Sequence, residues 1–356
     1  MFSDSQLSFS IRALFALGML GLTLALMHFA ADYLNALLLA WLIVLVASPL
    51  LYWMRGKGAP NWLSFVATLL AILVAFIGFG LIMILGFNQL VEAIPTYVEQ
   101  AEELTNFLNQ WIDSLGMNIG SVGDTVSGTS PSDLVKGAVA FLGGLLSSLS
   151  IVILVIMLVI FLLIDAFSAP QKLAAEIRAG NEYLKRFFHV SDTLRRYFQL
   201  TTVVALVTGV LDTIFFLIMG VDFAILWGII AFLCSYIPTL GFWLAAIPPT
   251  LLALLEFGPT QALIVFLGVI LINGFAENVI KPKYMGEGID LSPFMIIFSV
   301  IFWAAILGPM GAIVGVPMSL LFKELILEAD DQNRWIARLM GAARAGPAEE
   351  DTATGE

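Results

Sequence analysis

The chain has 356 residues, 60% of them hydrophobic and only 12% charged, with a mean hydropathy of +0.97. A soluble domain carries roughly 25% charged residues, so this is the composition of a polytopic membrane protein. The net charge of −11 offers no basic face for nucleic acid, the lone Cys234 supports no disulfide framework, and two histidines, His28 and His189, make no metal cluster.

Arg12 precedes an uncharged run from Ala13 to Ala31. It reads as a retained helix and not a cleaved signal, because it is long and a second apolar run starts at Tyr33. Asp32 between the runs predicts a tight hairpin. Tyr33–Met54 and Trp62–Phe87 are each long enough to span, since a crossing takes about 20 residues. Residues 88–133 then leave the apolar pattern. Leu90, Ile94, Tyr97, Ala101, Leu104, Leu108 and Trp111 alternate spacings of four and three, a heptad seam suited to a subunit contact or to packing on the same chain. Gly116 to Pro131 reads as a flexible loop. Ala138–Ile164 is a further span. In 168–196, Ser168 as N-cap and Pro170 in the first turn predict an amphipathic helix pair at the membrane surface. Tyr197–Val221 is apolar apart from Asp212.

Two uncharged runs follow that fit neither one crossing nor two: 33 residues from Phe223 to Leu255 and 32 from Leu291 to Phe322. The first breaks at Pro238-Thr239-Leu240-Gly241, the second at Gly308-Pro309-Met310-Gly311. Backbone freed by such breaks cannot face lipid. Each run reads as a helix–break–helix hairpin, and such breaks are how transporters build central sites. Phe257–Ala276 spans between them, and the tail after Met340 reads as disordered.

Orientation follows from Lys and Arg. With the N-terminus inside, 15 of the 16 basic residues fall inside and only Lys136 outside. The first hairpin then enters from outside and the second from inside, an inverted repeat, with the tips expected to meet near mid-membrane. The organisation is N-terminal transmembrane helices (1–87), an outer amphipathic helix and loop (88–133), a long transmembrane helix with an inner amphipathic segment (134–196), a transport core with two broken hairpins (197–327), and an inner tail (328–356).

Catalytic signatures are absent: there is no GxSxG, HExxH, Walker loop or Cys–His pair, so no enzyme and no cofactor are expected. The residues that stand out are intramembrane and polar. Asp212 costs about 2.5–3.5 kcal/mol on insertion scales and must face a cavity or a partner. Asn273, Glu277 and Lys281 follow one another at four-residue spacing, a polar stripe that either lines a path or, for Glu277 and Lys281, forms a salt bridge.

The motifs around these residues resemble the autoinducer-2 exporter family of bacterial transporters. They are Ser235-Tyr-Ile-Pro-x-x-Gly241 with Pro248; Glu277-Asn-Val-Ile-Lys-Pro282 continuing through Gly286 to Leu291-Ser-Pro293; and Gly308-Pro-Met-Gly-x-x-x-Gly315-Val-Pro317. The resemblance implies an all-α protein of about eight helical segments in the bacterial inner membrane, exporting small hydrophilic solutes as a homo-oligomer. It also implies that some members exchange sodium or other monovalent cations for protons. Expected on the path are Asp212, Pro238, Gly241, Asn273, Glu277, Lys281, Gly308, Pro309 and Gly311, with Pro248, Pro282, Pro293, Gly315 and Pro317 as structural positions. A cation/proton antiporter, with H+ or Na+ as coupling ion, and a non-transporting membrane scaffold are the alternative readings.

The threading is directly testable. With Cys234 replaced by alanine, a cysteine at Ser121 labels with an impermeant thiol reagent in cells whose outer membrane alone is permeable. Labelling only after inner-membrane lysis reverses the orientation.

Overall fold

The computed structural model describes residues 9–114, 149–172, 182–281, 291–328 and 334–341. Every regular element among them is a helix: α1 (Phe9–Phe29), α2 (Ala31–Gly56), α3 (Asn61–Ser114), α4 (Leu149–Lys172), α5 (Glu182–Met219), α6 (Ala224–Cys234), α7 (Leu240–Phe257), α8 (Pro259–Phe275), α9 (Pro293–Leu307), α10 (Pro309–Phe322) and α11 (Arg334–Met340). A π-helical turn extends α8 over Ala276–Ile280 and another extends α10 over Lys323–Leu327. Helices satisfy their own backbone, which lipid cannot do. Among the described residues six stretches are long and apolar enough to cross a membrane: α2, Asn61–Tyr97 of α3, Leu184–Met219 of α5, α7, α8 with its π turn, and α10 with its π turn. Large apolar side chains are exposed along them, among them Val74, Leu85, Leu206, Leu251 and Leu271, as lipid contact requires.

Two local expectations are corrected. Asp32 is not in the turn between α1 and α2. That turn is Ala30 alone, whose N–H bonds Leu26 O and whose C=O accepts from Leu34 N, and Asp32 occupies the first turn of α2, where a carboxylate complements the helix dipole. Ser168 and Pro170 start no helix, because α4 runs through both to Lys172. Proline there forfeits one N–H, and one missing bond does not end a helix. Residues from Glu182 onward continue as one helix into the span that carries Asp212, and 173–181, which the expected surface helix pair would include, lie outside the described residues. The loop at 116–131 and most of the tail lie outside the described residues.

Both hairpins are present. The first is α6 and α7 with a turn over 235–239; the second is α9 and α10 with Gly308 between them. Their arms are unequal. At 1.5 Å per residue, α6 with 11 residues reaches about 16 Å and α9 with 15 reaches about 22 Å, both short of the ~30 Å hydrocarbon core. The returning arms are longer: α7 has 18 residues, and α10 has 14 plus the π turn.

The chain forms two compact units, one of Met1–Leu39, Ser168–Arg195 and Glu287–Glu356, the other of Ala40–Phe167 and Arg196–Gly286. In the second unit the first hairpin lies along α5. A Cβ added at Gly228 of α6 would overlap Thr213 Oγ1 and press on Gly209 O, so the two backbones touch where both helices have glycine. Further along, Tyr236 Oη lies 2.7 Å from Thr202 Oγ1. Thr202 is about 26 Å along α5 from Met219. The hairpin tip thus lies beside the middle of the Leu184–Met219 stretch, on the Arg195 and Arg196 side of Asp212. Phe216, Trp227, Ala246, Leu252, Val265 and Val269 form the buried core that joins α5 to α8, with Leu90 and Tyr97 of α3 packed on it. The start of the heptad seam therefore serves this chain's own hairpin; the side chains from Ala101 onward lie outside the described residues.

In the first unit α9 packs on α10 and on α1. Ser292 caps α9 by accepting from Met295 N at 3.3 Å, with Pro293 in the first turn.

The glycine contact sets a stability prediction. Gly228→Ala must push α6 off α5 and lower the melting temperature in detergent, at a cost of about 1–3 kcal/mol. Gly21→Ala, with nothing within 4 Å of the added methyl, leaves it nearly unchanged.

Two broken hairpins and a buried carboxyl as the candidate functional site

The first break is closed by tight local bonds. Ser235 N and Oγ both bond Ala231 O, Ile237 N bonds Cys234 O at 2.9 Å, and Gly241 N bonds Ile237 O at 3.0 Å. Between them Leu240 N bonds Pro238 O at 2.7 Å across Thr239, whose φ is 66° and ψ −53°. This is a γ-turn of the rare positive-φ kind, and a β-branched residue there stores strain. Gly241 has no room for a side chain: a Cβ would overlap the Cys234 carbonyl. Pro248 lies inside α7 beside Pro249.

The second break is a single residue. Gly308 has φ 68° and ψ −151°, a region open essentially to glycine alone. Pro309 opens α10 at the position where a missing N–H costs nothing. Two carbonyls at the end of α9 are met from outside the hairpin. His28 Nδ1 lies 2.9 Å from Ile306 O, so that nitrogen carries the proton, and Asn35 Nδ2 donates to Leu307 O at 3.0 Å. Asn35 Oδ1 is buried without a partner. Gly311 packs against the Trp303 carbonyl and Gly315 against the Ser299 carbonyl, each closer than a Cβ would permit. Trp303 Nε1 donates to Ser319 Oγ across the hairpin at 3.1 Å, and Pro317 is buried in α10.

Asp212 is fully buried in α5. Its Oδ2 faces Asn273 Nδ2 of α8 at 3.5 Å, beyond ordinary hydrogen-bond length, while Asn273 also donates to Val269 O at 3.0 Å. Asp212 Oδ1 has no partner. Thr201 and Thr208 are buried on the same face of α5. The predicted polar stripe is divided. Asn273 turns to Asp212, whereas Glu277, in the π turn and 48% exposed, pairs with Lys281 at 2.6 Å. Pro282 lies outside the described residues.

A cluster at the other end of the first hairpin brings two further acids together. Tyr97 Oη of α3 donates to Asp222 Oδ2 at 2.9 Å and lies in closer contact with Glu256. Asp222 precedes α6 and Glu256 ends α7, so one phenol ties both bases of the hairpin to α3. Among the described residues no group of three or more His, Cys, Asp or Glu side chains is placed to hold a metal.

The profile of the AI-2E family transporter matches residues 17–330. The chain belongs to this family. It is 28% identical over 335 residues to the AI-2 transport protein TqsA of Escherichia coli K12, covering 93% of this chain and 95% of that one. It is 25% identical over 334 residues to "Putative transport protein YhhT" of the same strain, with 94% and 95% covered. The matched region takes in both hairpins, Asp212 and the Tyr97 cluster. The family and these relatives are transporters, which points away from an enzyme.

Two parts of this AI-2E family protein were missed in the sequence. Asp222 and Glu256 do not stand out there, although they flank the first uncharged run symmetrically and Tyr97 sits on the apolar seam. His28 and Asn35 flank the joint of α1 and α2, a signal that only a knowledge of what α9 leaves unpaired could interpret.

The phenol carries one proton for two carboxylates. Tyr97→Phe removes it and costs about 1–3 kcal/mol. Thermal unfolding of the variant beside wild type checks it; an unchanged melting temperature means the phenol does not hold the two bases of the hairpin.

Proposed function

We propose that this AI-2E family transporter exports small hydrophilic solutes, AI-2 among them, across the bacterial inner membrane by alternating access, with the two broken hairpins as its moving elements. The observation that carries this reading is the state of the breaks. Each hairpin pivots on a residue held where few residues can sit, Thr239 in one and Gly308 in the other. Strain of this kind costs on the order of 1–3 kcal/mol and persists at switching elements. The segments around the breaks are packed too closely for any bulk at Gly241 and Gly311. Each break also exposes the N-terminus of a half-helix, a partial positive charge suited to hydroxylated or anionic solutes. The sequence has no nucleotide-binding loop, so a gradient of the solute or of an ion supplies the energy.

Flux of AI-2 in vesicles containing the purified protein tests the reading. Gly241→Leu and Gly311→Leu each cut flux steeply, while the amount of protein inserted in the membrane stays near wild type. Wild-type flux in both variants removes the hairpins from the mechanism.

A further inference from the structure

An ionised carboxylate within a span needs strong donors or a counter-charge, and among the described residues Asp212 has neither. Its oxygens meet a single amide at 3.5 Å and an unpartnered buried space. Among the described residues, those placed beside it are uncharged. On α5 itself the neighbouring turns present Thr208, Gly209, Thr213 and Phe216. From α6 come Gly228 and Phe232, which meet α5 at Gly209 and Thr213. From α8 come Val269 and Asn273. Among the described residues no charged group acts on it. Lys281, the nearest cation along α8, is engaged by Glu277. On α5 the nearest is Arg196, about 24 Å away along the helix. A carboxyl in such a place neutralises instead of staying charged.

We propose that Asp212 is a proton-binding site, protonated in the conformation described here, and that its proton couples solute flux to the proton gradient. The proposal rests on the transport reading above and names its driving ion. The step is simple: the O–H bond of the carboxyl breaks when a conformational change admits water to Oδ1, the proton leaves to that water, and the bonding pair stays on the carboxylate. Return to the closed arrangement requires a new proton, because the closed site has no other means of holding the charge. No oxidant, reductant or metal takes part. Thr201 and Thr208, buried polar side chains of α5, lie on Asp212's face, eleven and four residues toward the Arg196 end. Their hydroxyls mark that end as the side from which a proton reaches the site. A sodium ion fits less well, since the described surroundings of Oδ1 offer no second carboxylate and no ring of oxygens.

A purely structural role, a helix–helix hydrogen bond to Asn273, makes a different prediction, because asparagine at 212 is isosteric and preserves that bond. Infrared spectroscopy of the full-length protein in lipid, together with AI-2 flux and lumenal pH in proteoliposomes, separates the two. Expected are a protonated-carboxyl band near neutral pH that Asp212→Asn deletes and Asp212→Glu shifts, and AI-2 flux that an imposed pH gradient accelerates in wild type. In Asp212→Asn the gradient's effect and the accompanying proton movement are lost. Absence of the band, a band unchanged in both variants, a gradient response that survives in Asp212→Asn, or flux driven by sodium alone each overturns the proposal. If Asp212→Asn fails to insert, the band in wild type and its shift in Asp212→Glu decide. If wild type moves no AI-2 under any gradient, the transport reading fails separately, and the infrared band still decides whether Asp212 holds a proton.

Discussion

Hydrocarbon supplies no hydrogen bonds, and the architecture follows from that. A break in a helix frees backbone groups that cost several kcal/mol apiece if left facing lipid. The second hairpin meets this with long-range partners: the carbonyls of Ile306 and Leu307 are met by His28 and Asn35, nearly three hundred residues earlier in the chain. The first hairpin meets it locally, with a run of short-range bonds from Ser235 to Gly241 that contracts into a γ-turn at Thr239. The two solutions have different consequences. A break satisfied by other helices ties the position of the hairpin tip to them, so α1 and α2 are part of the second hairpin's mechanics. A break satisfied from within is free to move as a rigid tip, at the expense of strained backbone.

Close packing takes over where hydrogen bonds end. Lipid is as apolar as leucine, so burial of apolar area does not drive one transmembrane helix onto another; contact quality does. The pairing of Gly209 with Gly228 lets α6 lie against the backbone of α5, and Gly315 plays the same part within the second hairpin. The short first arms then need only reach their tips, and the longer second arms return. Tyr236 against Thr202 shows how far the first tip extends along α5.

Much of this was readable from residue order. Uncharged runs of the wrong length, each with proline and glycine near the middle, identified the hairpins and placed their breaks at the observed residues, because glycine and proline act on the backbone locally. What could not be read depends on distance in sequence. The heptad seam at Leu90 and Tyr97 has an apolar partner, but periodicity cannot say whether it is another subunit or, as found, this chain's own α6 and α7. The polar stripe was drawn with regular helical spacing, and the π turn at Ala276–Ile280 breaks that spacing by widening one turn. Nothing in the composition of Ala-Glu-Asn-Val-Ile announces it. The same turn separates Asn273, which looks into the protein, from Glu277, which looks out.

That separation assigns different weights to two acids that sequence alone treats alike. Glu277 has Lys281 at 2.6 Å and stands half in the open, where an ion pair contributes about 0–1 kcal/mol and its loss is easily absorbed by solvent. Asp212 has no charge partner, and breaking or forming its ionised state inside the span involves several kcal/mol. Only the second is large enough to bias a conformational equilibrium decisively, since moving a two-state system from one form to the other takes about 5.5 kcal/mol of differential stabilisation. The strained breaks are each worth less than that, so they can serve as pivots but cannot by themselves set which conformation the protein occupies. A buried carboxyl whose charge is intolerable in one state and tolerable in another has the required magnitude, and it lies on α5, the helix against which the first hairpin is packed.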